Sequence, residues 1–212
     1  MIIEPIRIND DHFLLSEQIY NELIDKEYFK NNKLSIGICG ESGSGKTVTS
    51  VCLQQFLEKK NINSVILHLD SYYKLTPKEN HEKRKADINW VGVNELNISM
   101  IDRHIEQFKS NKDKIKVPVV DYQENKFLET IKYLKNVSVI IIEGVYSFYV
   151  KELDYKIFLE KTFKDTLESR MKRTREIYDT FVEKVLEIEH ELVVGQKIHA
   201  DLIIDKDYNI KD

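Results

Sequence analysis

"LSIGICGESGSGKT", residues 34–47, sets a short apolar run against a glycine-rich turn. Three of the chain's seven glycines fall at 40, 43 and 45. The segment "GESGSGKT" satisfies G-x-x-x-x-G-K-[ST], with Gly40, Gly45, Lys46 and Thr47 at the required places. An ordinary Gly/Ser turn uses the same residue types. Here, however, an apolar strand pattern precedes the turn and a helical pattern follows it, as a phosphate cradle requires. Backbone N–H groups must turn inward around phosphate oxygens, in dihedrals that glycine adopts without steric cost. The helix N-terminus adds free N–H groups and a positive dipole end. Gly40, Glu41, Ser42, Gly43, Ser44, Gly45, Lys46 and Thr47 are therefore the candidate nucleotide-binding residues. Lys46 is placed to reach the β- and γ-phosphates, and Thr47 to hold Mg²⁺ through its hydroxyl.

Outward from this turn, apolar runs alternate with helical patterns. The runs are 34–39, 64–69, 137–142, 155–160 and 200–205. They are rich in Ile and Val and continuously apolar, as strands buried on both faces are. The intervening helical patterns cover about 46–60, 93–110 and 162–190. This alternation predicts an α/β fold with a parallel sheet and right-handed crossovers. "KIKVPVVDY" (114–122) carries Pro118, which predicts an edge strand or a hairpin arm. Residues 73–90 read as a long, charged, turn-prone connection, a feature that is usually functional or mobile. Residues 1–33 form an N-terminal extension to a domain spanning 34–212. Leu15, Ile19, Leu23 and Ile24 mark a flanking helix in it, with Asp10 or Asp11 as N-cap.

The whole chain has 212 residues, 42% of them hydrophobic, with 32 basic against 36 acidic side chains and a net charge of -4. That suits one large domain and lacks the basic excess of a general nucleic-acid binder. Cys39 and Cys52 read as reduced core residues. No signal-peptide pattern and no transmembrane run is expected, so the reading is a soluble, cytoplasmic protein.

Phosphate binding alone does not choose a function. No N-K-x-D guanine-reading motif is present, and the run "VIIIEG" ends in one carboxylate, Glu143, suited to orienting a Mg²⁺-bound water. Asp70 follows the strand at 64–69. In an open α/β sheet, ligands bind outside the C-terminal strand ends, which places Asp70 on the rim that holds Lys46. An Asp there suits the base that takes the proton of an acceptor hydroxyl; capping a turn with Ser71 is the plainer role. Tyr72 and Tyr73 are candidate walls of an acceptor pocket. "TLESRMKRTRE" (166–176) offers Arg170 and Arg173 on one helix face, with Arg175 nearby, as a lid over the moving phosphoryl group. "EHELVV" lacks the second His of a zinc motif, which leaves His190 an ordinary helix residue.

Taken together, these residues resemble the uridine kinase/phosphoribulokinase branch of the P-loop kinases, from about Leu34 to Asp205. The resemblance rests on "GESGSGKT", "LDSYYK", "VPVVDY", "IIIEGVYSFY", "KIFLEKTFKDTLESRMKR" and "HADLIID", in that order. It implies a P-loop kinase three-layer fold with a five-stranded parallel sheet and a lid helix. It also implies ATP with Mg²⁺ and phosphorylation of a small-molecule hydroxyl, with uridine or cytidine as the family acceptor. Carried over by position, Asp70 is the base, and Lys46 and Arg173 act on the transferring phosphate. Thr47 and Glu143 serve the metal, Arg170 and Arg175 belong to the lid, and Asp121, Tyr122 and the Trp90 region lie near the acceptor. The departures fall on the acceptor side. "DINWVGVNEL" replaces the family's ribose-holding segment, and Val120, Asn125 and Phe127 stand where the family frames the base. Members of this group often form dimers or tetramers, so a homo-oligomer is within what the resemblance implies. The alternative is a nucleotide-binding regulator or slow NTPase that has lost transfer to small molecules.

Overall fold

The computed structural model describes residues 8–30, 33–167 and 180–211. Helix α1 spans Asp10–Asp25 and β1 spans Leu34–Gly40, followed by α2 (Lys46–Lys59) and β2 (Ser64–His68). Then come α3 (Pro77–Ala86), α4 (Ile98–Lys109), β3 (Lys114–Asp121), β4 (Lys126–Tyr133), β5 (Val139–Glu143) and β6 (Tyr155–Leu159). Helix α5 (Thr180–Val194), β7 (Leu202–Ile204) and β8 (Ile210–Lys211) complete the described elements. The main sheet has the order β2-β5-β1-β6-β7-β8. Its first five strands are parallel, as the apolar runs predict, and β8 adds an antiparallel edge against β7.

Alternate strand residues face opposite layers. Ile36, Ile38, Ile141 and Ile157 pack with Leu53 and Leu57 of α2. Ile140, Ile142 and Phe158 pack with Ile101, Ile105 and Phe108 of α4. The chain is thus helix, sheet, helix in section. Leu15, Ile19 and Leu23 of α1 are buried in the α2-side core, while Ile24 is half exposed. The α1 cap is Asn9 rather than Asp10 or Asp11: its side chain accepts from His12 N, and His12 answers to the Asn9 backbone.

Three sequence expectations are corrected. The charged stretch 73–90 contains a ten-residue helix, α3, started by a Thr76–Glu79 capping box with Pro77 in its first turn. That T-P-x-E signal lies open in the sequence, but α3 has almost no apolar face and escapes a periodicity test. The helix expected from 93 begins at Ile98. A 3-10 turn at Val93–Glu95 comes first, and then Tyr73 bridges Leu96, Asn97 N donates to Tyr72 O and Lys74 N donates to Glu95 O, so tertiary pairing at 95–97 delays the helix. Of the helix expected over 162–190, residues 163–166 form turns and α5 covers the part from Thr180, while 168–179 lie outside the described residues. Pro118 sits in the β3–β4 hairpin, outside the main sheet and opposite Glu129.

Candidate active site

β1, β2 and β5 end side by side, and their C-terminal ends form the floor of one cleft. Its lining includes Ser42, Gly43, Lys46, Thr47, Asp70 and Glu143. The turn between β1 and α2 runs through Gly43 and Gly45, at φ of 83° and 100°. At Gly45, the left-handed residue immediately before α2, a Cβ would also strike the Tyr208 hydroxyl. Glycine is required there by both dihedral and space. The Ser44 Oγ is buried without a hydrogen-bond partner among the described residues. The Lys46 ammonium donates to Glu41 O at 2.8 Å.

Glu41 is turned away from the cradle. Its carboxylate accepts from Phe163 N at 2.7 Å and meets His190 Nδ1 at 2.7 Å. It therefore braces the turn from behind through its side chain, and His190, read as an ordinary helix residue, ties α5 to the cradle. Thr166 adds a bond from its hydroxyl to Ser42 O at 3.1 Å.

Glu143 is 6% exposed and sits at the end of β5. It accepts from the Thr47 hydroxyl at 3.2 Å and meets His68 Nδ1 at 2.7 Å. His68 lies opposite Glu143 in the β2–β5 register. The sequence reading missed it, because 75 residues separate the two. Burial by itself would raise the Glu143 carboxyl, but the hydrogen bond and charge of His68, with Lys46 and Thr47, hold it below its ordinary value. Burial lowers His68, and Glu143 more than restores it, so its net direction is upward. Both directions describe an ion pair. The set of a threonine hydroxyl beside a carboxylate, next to a cradle that only glycine can form, fits a Mg²⁺-nucleotide.

Asp70 opens onto the same cleft and receives the Tyr122 hydroxyl at 3.3 Å. Asp70 is exposed to the open cleft, yet the crowding of its carboxyl by the surrounding walls raises its pKa above the usual carboxylate range, and the Glu143 charge adds to this. Lys46, His68 and Tyr122 pull the other way without reversing it. A carboxylate more basic than usual suits proton abstraction.

Beyond Asp70 the cleft widens into a chamber between α3, the β3–β4 hairpin and α5. Tyr73, Val120, Tyr122 and Phe127 line it, as do Asn80, His81 and Arg84 of α3. α5 contributes Phe181, Val182, Val185, Leu186 and Glu189. Arg84 donates to both oxygens of Glu95, at 2.8 and 3.0 Å, and to Glu189 at 2.9 Å. Asn80 donates to Glu95 and accepts from Trp90 Nε1 at 2.8 Å. Gly92 N also donates to Glu95, at 2.7 Å.

Not every sequence candidate reaches the cleft. Tyr72 points into the core, 2% exposed, with its hydroxyl 2.9 Å from His104 Nδ1. The strand-like pairing of residues 72–74 with 95–97 sends neighbouring side chains to opposite sides, so Tyr73 lines the chamber and Tyr72 does not. Asp121 caps the hairpin turn, accepting from Gln123 N and Glu124 N at 3.1 Å. Trp90 stands behind Asn80 rather than in the lining. Arg170, Arg173 and Arg175 lie outside the described residues. Asn80 and Arg84 escape the sequence reading because residues 73–90 read as a loop, and Glu189 because nothing in the helical pattern over 162–190 distinguishes it from its neighbouring carboxylates.

The two cysteines are fully buried and unpaired, as read from the sequence. Among the described residues no helix is long and apolar enough to cross a membrane.

Comparison with known proteins follows the same lines. The family model described as "Phosphoribulokinase / Uridine kinase family" matches residues 35–206. Uridine-cytidine kinase B of Dictyostelium discoideum is 31% identical over 85% of this chain and 80% of its own. A bifunctional alpha-galactosidase/sucrose kinase of Mediterraneibacter gnavus is 27% identical over 84% of this chain, which spans only 21% of that protein. The solved structure of D-glycerate 3-kinase from Cryptococcus neoformans shares the fold at a TM-score of 0.56 and 12% identity, covering 85% of this chain and 89% of that one. A cradle for a Mg²⁺-nucleotide, a carboxylate poised beside it, and a family match across most of the chain agree: this protein belongs to the phosphoribulokinase/uridine kinase family, ATP- and Mg²⁺-dependent phosphotransferases that act on a hydroxyl group.

Proposed function

We propose that the chain transfers the γ-phosphoryl group of ATP to a hydroxyl of a small molecule, with a pyrimidine nucleoside, uridine or cytidine, as acceptor. The observation that carries the transfer reading is Asp70: a carboxylate of raised basicity opening onto the cleft that Lys46 and Thr47 also line. A protein that only bound nucleotide would need no such group. The nucleoside reading is supported by the 31% identity to a uridine-cytidine kinase.

In this reading the 40–47 turn and the start of α2 hold the phosphates through backbone N–H groups, with Lys46 as the point charge. Thr47 and Glu143 hold the metal, and His68 fixes the rotamer of Glu143. The bound Mg²⁺-nucleotide supplies the phosphoryl group and the positive charge that offsets its oxygens in transfer. Asp70 accepts the proton of the attacking hydroxyl, and Tyr122 orients Asp70. Arg170, Arg173 and Arg175, outside the described residues, are assigned to the phosphates, and Tyr73 and Tyr122 to the acceptor.

The test is transfer from γ-labelled ATP with Mg²⁺ to uridine and cytidine, by the wild type and by Asp70→Asn. Nucleoside-dependent transfer is expected, reduced about 10²–10⁴-fold in the variant, with ATP binding retained. Equal loss of ATP affinity in the variant would remove Asp70 as the base. ATP hydrolysis indifferent to any acceptor would replace the kinase reading with that of an NTPase.

A further inference from the structure

Glu41 belongs to the phosphate turn, yet both oxygens of its carboxylate bond outside that turn. The side chain is buried. One oxygen accepts from Phe163 N at 2.7 Å, and the other meets His190 Nδ1 of α5 at 2.7 Å. Phe163 packs on Val182 and Leu186 of α5, and its ring meets the His190 ring edge-on at 5.8 Å. A buried carboxylate is costly unless its oxygens are hydrogen-bonded, so this arrangement resists loss of either contact. The main chain of the same residue faces the other way, where Glu41 O accepts from the Lys46 ammonium at 2.8 Å. One residue thus touches the lysine of the cradle and a helix of the chamber.

What α5 presents on its two sides follows from helical spacing. Leu186, Glu189, His190 and Val193, at i, i+3, i+4 and i+7, line a narrow gap behind the turn with Glu41 and Ser42. Val182, Val185, Leu186 and Glu189, at the same spacing, line the chamber. The two stripes share Leu186 and Glu189. α5 is one helix of 15 residues, and a packed helix shifts as a body. Its attachment to the cradle therefore sets where the chamber wall stands. A phosphate in the cradle competes with Glu41 O for the Lys46 ammonium, and so acts on the peptide that carries the Glu41 side chain.

We propose that Glu41 and His190 are positioning residues that couple nucleotide binding in the cradle to the placement of the chamber wall. With the phosphates bound, the Glu41 carboxylate holds α5, through His190, where its side chains shape the chamber. The proposal rests on the nucleotide-binding half of the kinase reading and holds whichever acceptor the chamber takes. Neither side chain is part of the cleft lining, so both act through Lys46 and α5.

The experiment is backbone hydrogen exchange over residues 182–194 of the full chain, with and without Mg²⁺ and a saturating non-hydrolysable ATP analogue. In the wild type the analogue is expected to slow exchange there about 10-fold. Two variants separate the hydrogen bond from the packing. His190→Leu fills the space against Phe163 without a polar atom, and the slowing should fall below about 3-fold with the analogue still bound. His190→Asn places an amide N–H where Nδ1 stands, and should keep most of the slowing. A His190 that only packs would speed α5 exchange equally with and without the analogue and leave their ratio untouched, and that result overturns the proposal. So does a ratio no larger in His190→Asn than in His190→Leu, or a bound analogue that leaves wild-type α5 unchanged. An analogue that fails to bind the wild type at all brings down the cradle reading itself, and the coupling with it.

Discussion

The proposed phosphate cradle and the proposed acceptor chamber share one cleft but draw on the chain in different ways. The cradle comes from one segment, residues 40–47, held between a buried strand and the helix it starts. Its working groups are backbone N–H groups, so its demands on sequence are glycine at left-handed positions and one lysine. The chamber is assembled from α3, the tip of a separate hairpin and α5, which lie far apart in the chain. Its working groups are side chains held by other side chains, as Asn80 is held by Trp90 and Arg84 by Glu95. Backbone recognition tolerates drift around it, whereas side-chain recognition changes with any member of the network. The resemblance accordingly implies a cradle that keeps the family pattern and a chamber that departs from it.

If this contrast is right, the two halves should fail in different ways. The largest effect on stability belongs to the chamber. Arg84→Met strips the buried Glu95 of its partner and should cost about 3–5 kcal/mol in chemical denaturation. Adding Glu95→Gln to the same protein should recover part of that loss, since the stranded charge is gone. A loss under 1 kcal/mol for Arg84→Met would mean that the network is less closed than its geometry implies.

A cradle lesion should be smaller in stability and larger in nucleotide binding. Gly45→Ala places a side chain at φ of 100° and against the Tyr208 hydroxyl. About 1–3 kcal/mol of destabilisation is expected. Because the phosphate-facing N–H groups are displaced, ATP affinity should fall while binding of an acceptor alone persists. Acceptor binding lost in parallel would erase the distinction between the halves.

Asp70, at the junction, should show a smaller effect of opposite sign. Its pKa is raised in the folded protein, so the folded state binds its proton more tightly than the unfolded chain does. Stability is thus lost as pH rises from the ordinary Asp value through the raised one. Asp70→Asn removes that penalty. Its melting temperature should exceed that of the wild type at pH 7, and the gap should vanish at pH values below the ordinary Asp pKa. A variant less stable at pH 7 would show that Lys46, His68 and Tyr122 favour the ionised form more than crowding by the cleft walls and Glu143 oppose it.

The smallest effect lies beneath the cleft. Burial pushes the Cys39 thiol up to about 12 and the Cys52 thiol up to about 11. Neither should react with an alkylating reagent at pH 8 until the protein is unfolded, as mass spectrometry would read. Labelling of Cys39 in the native protein would mean that the end of β1, which carries the cradle, opens locally.

Some of this was already written in the sequence. The five parallel strands follow from runs of Ile and Val too apolar to face water on either side. The cradle follows from a local rule, because a turn of fixed length between strand and helix needs glycine at set positions. The placement of Asp70 follows from the same topology, since groups just past the C-terminal ends of parallel strands share one rim. The tertiary structure decided what depends on meetings between distant residues. His68 reaches Glu143 only through the β2–β5 register, and His190 reaches Glu41 only because α5 packs behind the cradle. Tyr72 and Tyr73 are adjacent and chemically alike, yet pairing with residues 95–97 sends one to the core and the other to the chamber. Helix α3 has almost no apolar stripe to announce it. Its inward face is Asn80 and Arg84, and what makes such polar groups tenable inside a protein is a set of partners that no local stretch of sequence contains.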